Sequence, residues 1–196
     1  LKEKDLIGIP WMLAFALRAD GWYLRQDIIW HKPNPMPESV KDRCTKSHEY
    51  LFLLSKNKRY HYDNEAIKEP VKQDWGTRDR TNGKYHNPGS GLVPHSGLSK
   101  SYDRKNKRSV WSITNKPYKG AHFAVFPPDL IEPCILAGSE EGDIVLDPFM
   151  GSGTTAMVAK KHNRNYIGCE LHEDYASLQT DRIDSVPTPL PAIIWK

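Results

Sequence analysis

The 196 residues predict an α/β fold, and three observations carry that expectation. Residues 144–183 alternate short β-branched or apolar runs with stretches of helical apolar spacing. That strand–helix–strand–helix order implies a βαβ unit and a parallel sheet. A glycine-rich turn, Gly151-Ser152-Gly153, joins the first of those strands to its helix, where the backbone must bend tightly. Hydrophobic residues make up 38% and charged residues 27% of the chain. No apolar run approaches the roughly 18–20 residues of a membrane-spanning helix, and the length suits one domain with a real core, or one domain with a small appendage.

Each element follows in order. Residues 7–18 have helical spacing in Ile9, Leu13, Phe15, Ala16 and Leu17, with Gly21 as the stop. Residues 22–30, rich in aromatic and β-branched side chains, read as a strand. The run Lys32-Pro33-Asn34-Pro35-Met36-Pro37 then breaks regular structure. Residues 49–54 form a short apolar strand, Asn57-Lys58 turns it, and residues 59–62 are expected to return as a hairpin partner. Across residues 73–106 turn and loop residues replace periodicity, with Trp75, Tyr85 and Tyr102 interleaved. Beyond them come a helix at 130–137, a strand at 144–146, a helix at 154–161, a strand at 166–169 and a helix at 172–183. The proline-bearing tail, residues 186–196, is expected to lie on the surface.

Charge is unevenly spread. Residues 68–119 hold 12 basic and 4 acidic residues, a balance of +8, whereas residues 120–196 hold 5 basic and 11 acidic, a balance of −6. A basic segment is the footprint of a polyanion partner, with a solvated loop as the plain alternative. Cys44, Cys134 and Cys169 are far apart and form no CxxC pair, so neither a zinc site nor a disulfide framework is expected. The reducing cytoplasm is the expected compartment, and residues 7–17 lack the cleavage site of a signal peptide.

The glycine turn is the strongest local signal. Asp147 stands at the carboxyl end of its strand, where α/β sheets bind ligands. Glu170 ends the next strand, 19 residues after Gly151, where a carboxylate accepts hydrogen bonds from ribose hydroxyls. No lysine follows the glycines, so a P-loop is excluded. Gly151-x-Gly153-x-x-Ala156 fits the loose dinucleotide pattern, which leaves NAD as a rival cofactor.

The longer run Asp147-Pro148-Phe149-Met150-Gly151-Ser152-Gly153-Thr154-Thr155 is far more specific, and four stretches accompany it in order. They are Trp30-His31-Lys32-Pro33-Asn34, Ser47-His48-Glu49-Tyr50, His122-Phe123-Ala124-Val125-Phe126-Pro127 and Tyr166-Ile167-Gly168-Cys169-Glu170. Together they resemble the amino-methylating DNA methyltransferases. Those enzymes transfer methyl from S-adenosylmethionine to N4 of cytosine or N6 of adenine. The resemblance is to the permuted class whose cofactor loop lies near the C-terminus, and it extends over most of the chain.

That resemblance implies a Rossmann-like mixed sheet flanked by helices, with an irregular target-recognition insert. Residues 1–67 would belong to the target-base half, 68–119 to the insert, 120–184 to the cofactor half and 185–196 to a tail. It implies cofactor contacts from Asp147, Pro148, Phe149, Gly151, Gly153, Thr154, Thr155, Glu170, His122, Phe126 and Pro127. A target-base pocket would use Trp30, Lys32, Pro33, Asn34, His48, Glu49 and Tyr50. DNA contacts would come from Arg78, Arg80, Arg104, Lys105, Lys107 and Arg108. The implied cofactor is S-adenosylmethionine and the implied partner double-stranded DNA, with a homodimer as one assembly the family allows. No metal and no membrane are implied.

One family motif is missing. It is an Asp, Asn or Ser followed by two prolines and an aromatic, whose acceptors hold the target amino group. Phe126-Pro127-Pro128-Asp129 has the proline pair without the aromatic, and Asp147-Pro148-Phe149 has one proline. In the permuted class the motif precedes the first helix and would lie upstream of Leu1, so the chain is expected to be part of a longer enzyme. The rival expectation is a catalytically incomplete remnant that binds DNA or cofactor. An NAD-dependent oxidoreductase and an RNA methyltransferase are further rivals. Residues 30–37 and 47–54 resemble members whose motif begins with Ser, which are mostly cytosine-N4 enzymes.

Overall fold

The computed structural model describes residues 1–71, 103–115 and 125–187. Helix α1 (Ile9–Ala19) starts after Gly8, whose φ of 74° favours a residue without Cβ, and carries Pro10 in its first turn. Trp11 docks it on the following sheet, its ring 5.6 Å from Tyr50 and 5.0 Å from Phe52 in edge-on contacts. The stripe Ile9, Met12 and Leu13 at helical spacing is 59% exposed at each position.

Strands β1 (Tyr23–His31) and β2 (His48–Ser55) pair antiparallel from Tyr23↔Ser55 to His31↔His48, with a register shift between Leu24 and Gln26. Two further strands, β3 (Glu69–Pro70) and β4 (Arg104–Lys105), form an antiparallel ribbon. Strand β5 (Val110–Ser112) adds parallel to β1, so the order β2-β1-β5 is a mixed sheet.

The hairpin partner expected at residues 59–62 does not form. Tyr60 takes a hydrogen bond from Arg25 Nε at 3.2 Å, and the Asp63 N–H reaches Ala137 C=O at 2.9 Å. The backbone therefore leaves the sheet for the end of the next helix, and contact with that helix replaces strand pairing.

The C-terminal elements follow the expected order. They are α2 (Pro128–Gly138), β6 (Ile144–Asp147), α3 (Thr154–Lys161), β7 (Asn165–Gly168) and α4 (Glu173–Asp184). β6 and β7 pair in parallel, as a βαβ unit requires, but they form a sheet of their own among the described residues. Val145 packs inward against α2 and α3, while Ile144 and Leu146 are 62% and 63% exposed.

Helix α2 joins the two halves. Leu130 and Cys134 pack against Trp30 and Trp111 of the mixed sheet. Ile131 and Ile135 pack against Val158, Ala159 and Val145. Burial among these apolar groups pushes the Cys134 thiol up to about 11.

On the same helix Glu132 accepts hydrogen bonds from Lys161 Nζ and His162 Nε2, each at 2.7 Å. The bond from Lys161, with help from His162, holds the carboxyl below its ordinary value of 4.5 against the opposing effect of burial. A carboxyl depressed in the folded state stabilises the fold above its unfolded value, and that stability is lost as pH falls through the lower folded value. Urea midpoints are therefore expected to fall below about pH 4.5. Glu132→Gln is expected to be less stable at pH 7 and flatter between pH 5 and pH 3, as read by urea unfolding at each pH.

Candidate active site

The turn after β6 is built by hydrogen bonds that the sequence makes locally. Asp147 Oδ1 accepts from the Phe149 N–H at 3.0 Å, and Oδ2 accepts from Thr155 Oγ1 at 2.6 Å. One carboxylate thus closes the turn and ties it to the first turn of α3. Gly151 and Gly153 have φ of 52° and 83°, the left-handed region that favours glycine. Glu170, just past β7, accepts from the Gly151 N–H at 2.7 Å and from the His172 N–H at 2.9 Å. Gly168 is needed for a different reason: a Cβ there would overlap the buried Met150 side chain.

These contacts surround a cleft of about 150 Å³ at the carboxyl ends of β6 and β7. Phe126, Phe149, Gly151, Thr154 and Glu170 line it together, with Val125, Met150, Ser152 and Tyr175. Phe149 is 87% exposed. Of the other expected cofactor residues, Asp147, Gly153 and Thr155 shape the turn, and Pro127 is the buried cap of α2. Pro148 is exposed in the turn, and His122 lies outside the described residues.

A second cavity, about 380 Å³, opens at the carboxyl ends of β1 and β5. Lys32, His48, Glu49 and Tyr50 line it, as does Asn115. Lys32 pairs with Glu49 and holds its ammonium 4.3 Å from the Trp30 ring centre. His48 Nε2 lies 3.3 Å from the Tyr50 hydroxyl. The structure places the other three expected pocket residues elsewhere. Trp30 is a core residue, 5% exposed, whose indole N–H donates to Ile113 C=O at 2.9 Å. Asn34 clamps Asn115, donating to its C=O at 3.1 Å and accepting from its N–H at 3.0 Å. Pro33 is exposed beside it.

The two cavities are linked through one core. Phe126 lines the smaller cleft and packs on the Trp30–Trp111–Leu130 cluster. Trp30 in turn supports Lys32 at the larger cavity.

Four of the expected DNA-contacting residues are described, and all four touch protein. Arg108 Nε donates to Glu69 at 2.7 Å, and Lys105 approaches the same carboxylate at 3.5 Å. Partial burial opposes ionisation of Glu69, but these two cations hold its carboxyl below the usual range. Arg104 donates to Lys68 C=O at 2.8 Å, and Lys107 lies 4.9 Å from the Trp111 ring centre. They cluster at and beside the β3–β4 ribbon, with Arg108 still two-thirds exposed. Arg78 and Arg80 lie outside the described residues.

Ser152, Tyr175 and Asn115 line these cavities without having been singled out in the sequence. Ser152 stood inside the glycine run; nothing local marked the other two. No group of His, Cys, Asp and Glu able to hold a metal occurs among the described residues, and no helix there is long and apolar enough to cross a membrane.

Comparison with known proteins agrees with this geometry. A family model for N6/N4 DNA methylases matches residues 4–181. The type II methyltransferase M.SmaI of Serratia marcescens is 52% identical over 183 residues, covering 93% of this chain and 54% of that protein. Among solved structures, the M1.HpyAVI complex with S-adenosylmethionine superposes with a TM-score of 0.57 at 26% identity, covering 91% of this chain and 71% of that one. The PvuII cytosine-N4-specific DNA methyltransferase shares the fold, with a TM-score of 0.65 at 19% identity over 99% of this chain and 62% of that one. The chain spans about half the length of M.SmaI and of two further curated type II methyltransferases that it matches. With the family model covering all but the two ends, the chain belongs to the N6/N4 DNA methylase family.

Proposed function

We propose that this chain supplies the cofactor site and base pocket of an enzyme that methylates an exocyclic amino group in double-stranded DNA, N4 of cytosine in preference to N6 of adenine. The observation that carries the proposal is the pair of cavities at the carboxyl ends of parallel strands, joined through Phe126 and Trp30. The residues of the smaller cleft fit S-adenosylmethionine: a carboxylate, Glu170, for ribose hydroxyls, an exposed aromatic face, Phe149, and backbone bent open at Gly151. When bound, that cofactor supplies a methyl group on a positively charged sulfur, already activated for displacement.

The chain's own residues then have positioning to do. The larger cavity falls in the size range of small-ligand pockets and combines the Lys32–Glu49 pair with the faces of His48 and Tyr50. A base reaches such a pocket only by leaving the duplex stack. The basic residues at the β3–β4 ribbon, together with Arg78 and Arg80, supply the salt-dependent phosphate attraction. The amino lone pair of a base is delocalised into its ring, and acceptors on the amino hydrogens localise it for attack. That acceptor set belongs to the Ser- or Asp-Pro-Pro-aromatic motif. This chain does not carry one, so transfer is expected only from a polypeptide that also supplies it. The preference for N4 rests on the likeness of residues 30–37 and 47–54 to members of the Ser-motif type.

Calorimetric titration of the 196-residue chain tests the cofactor site. S-adenosylmethionine is expected to bind and NAD is not; the reverse would sink the proposal. Methyl transfer to duplex DNA by a polypeptide that includes the motif, followed by nucleoside chromatography, then separates N4-methylcytosine from N6-methyladenine. A catalytically incomplete remnant, the alternative reading, would bind the cofactor and yield neither nucleoside.

A further inference from the structure

We propose that α4 is a splint that sets the shape of the glycine turn, with Gln179 and Arg182 as positioning residues. The functional side of this inference rests on reading that turn as the cofactor site. Gln179 Nε2 donates to Gly151 C=O at 2.8 Å. Arg182 Nη1 donates to Ser152 Oγ at 2.6 Å. Gly153 turns its Cα toward the same helix, where a Cβ would meet Gln179 Cγ at 3.4 Å and Ile183 Cδ1 at 3.5 Å. Three consecutive turn residues therefore meet positions 179, 182 and 183, an i, i+3, i+4 set that forms one face of a helix.

That face has a mechanical consequence. The Gly151 residue is held at both ends, its N–H by Glu170 at 2.7 Å and its C=O by Gln179, while its φ of 52° lies outside the ordinary helical and extended regions. Releasing either end removes a restraint on that bend. The splint is itself fixed. Lys160 Nζ on α3 donates to Ile183 C=O at 3.1 Å and to Asp184 at 3.2 Å. Ile183 is buried with Met150 and Ala156. Gln179 and Arg182 do not line the cleft, but Gly151 and Ser152 do, so α4 acts on a ligand through them.

Gln179→Glu is the sharpest test, because it keeps the shape of the side chain and turns the donor facing Gly151 C=O into an acceptor. Hydrogen exchange at the amides of residues 151–153 is expected to rise about tenfold, with α2 unchanged. Affinity for S-adenosylmethionine is expected to fall about tenfold by calorimetry. Arg182→Lys, which keeps a charged donor, is expected to retain affinity within about twofold, while Arg182→Ala loses about tenfold. Exchange that is unchanged, or that rises equally in α2, overturns the splint. Local loosening with unchanged affinity overturns the positioning role. If the unsubstituted chain binds no S-adenosylmethionine, the cofactor reading and the positioning role fall together, and the exchange result still decides whether α4 shapes the turn.

Discussion

Asp147→Ala is expected to reduce binding of S-adenosylmethionine at least a hundredfold, to below detection by calorimetry, while the chain stays folded. The carboxylate makes two bonds that no neighbour replaces, to the Phe149 N–H and to the hydroxyl of Thr155, which is 4% exposed. Losing a charged acceptor costs about 1.5–3 kcal/mol per bond and leaves the Thr155 hydroxyl buried without that acceptor. The loss falls on the turn that lines the cleft, because Asp147 is the last residue of β6, where the turn begins, and belongs to none of the three core clusters. Asp147→Asn separates the roles. Its amide oxygen still accepts from Phe149, and its NH₂ donates to the threonine hydroxyl, so an intermediate affinity is expected. Binding of the Ala variant within threefold of the unsubstituted chain would show that the turn holds without this residue.

Trp30→Ala is expected to give the largest loss of stability in the chain, about 3–5 kcal/mol, with Tm lower by roughly 10 °C. The indole fills the cluster formed with Trp111 and Leu130, and Phe126 and Cys134 pack around it. Its removal leaves a cavity between the mixed sheet and α2 and strips the Ile113 carbonyl of its donor. Trp30→Phe keeps most of the apolar volume and loses only that bond, so a smaller loss of about 1–2 kcal/mol is expected. The pair of variants distinguishes a core side chain from one that stacks on a base. A base-stacking tryptophan would leave thermal unfolding unchanged on substitution by alanine and alter only methyl transfer.

Trp30 also shows where sequence reading stopped. An aromatic at the end of a strand looks the same whether it points into a core or a pocket, and only the distant Ile113 and Leu130 decide. The β6–α3–β7–α4 series was legible because its periodicity and its glycine turn are local. β5 and the β3–β4 ribbon were not. They are two or three residues each, and they pair across long stretches of chain, as when Ile29 meets Val110 or Glu69 meets Lys105. The turn at Asn57-Lys58 carried the right chemistry for a hairpin, but Asp63 found its partner on α2. In the site, Asp147, Gly151 and Glu170 could be read from their spacing. Gln179 and Arg182 could not, since polar side chains on a helix read as solvent-facing until the turn beside them is placed.

The β3–β4 ribbon brings the two sides of a long excursion to one point: the Val71 N–H bonds Asp103 C=O at 3.0 Å, and Glu69 stands opposite Lys105. Chain that departs and rejoins at neighbouring backbone positions has no gap to bridge. Doubling its length costs only about 0.6 kcal/mol of closure entropy, small beside the loss expected from Trp30→Ala. The ribbon thus fixes where that stretch leaves and rejoins the described fold, and its ends stay at one point whatever length of sequence lies between them.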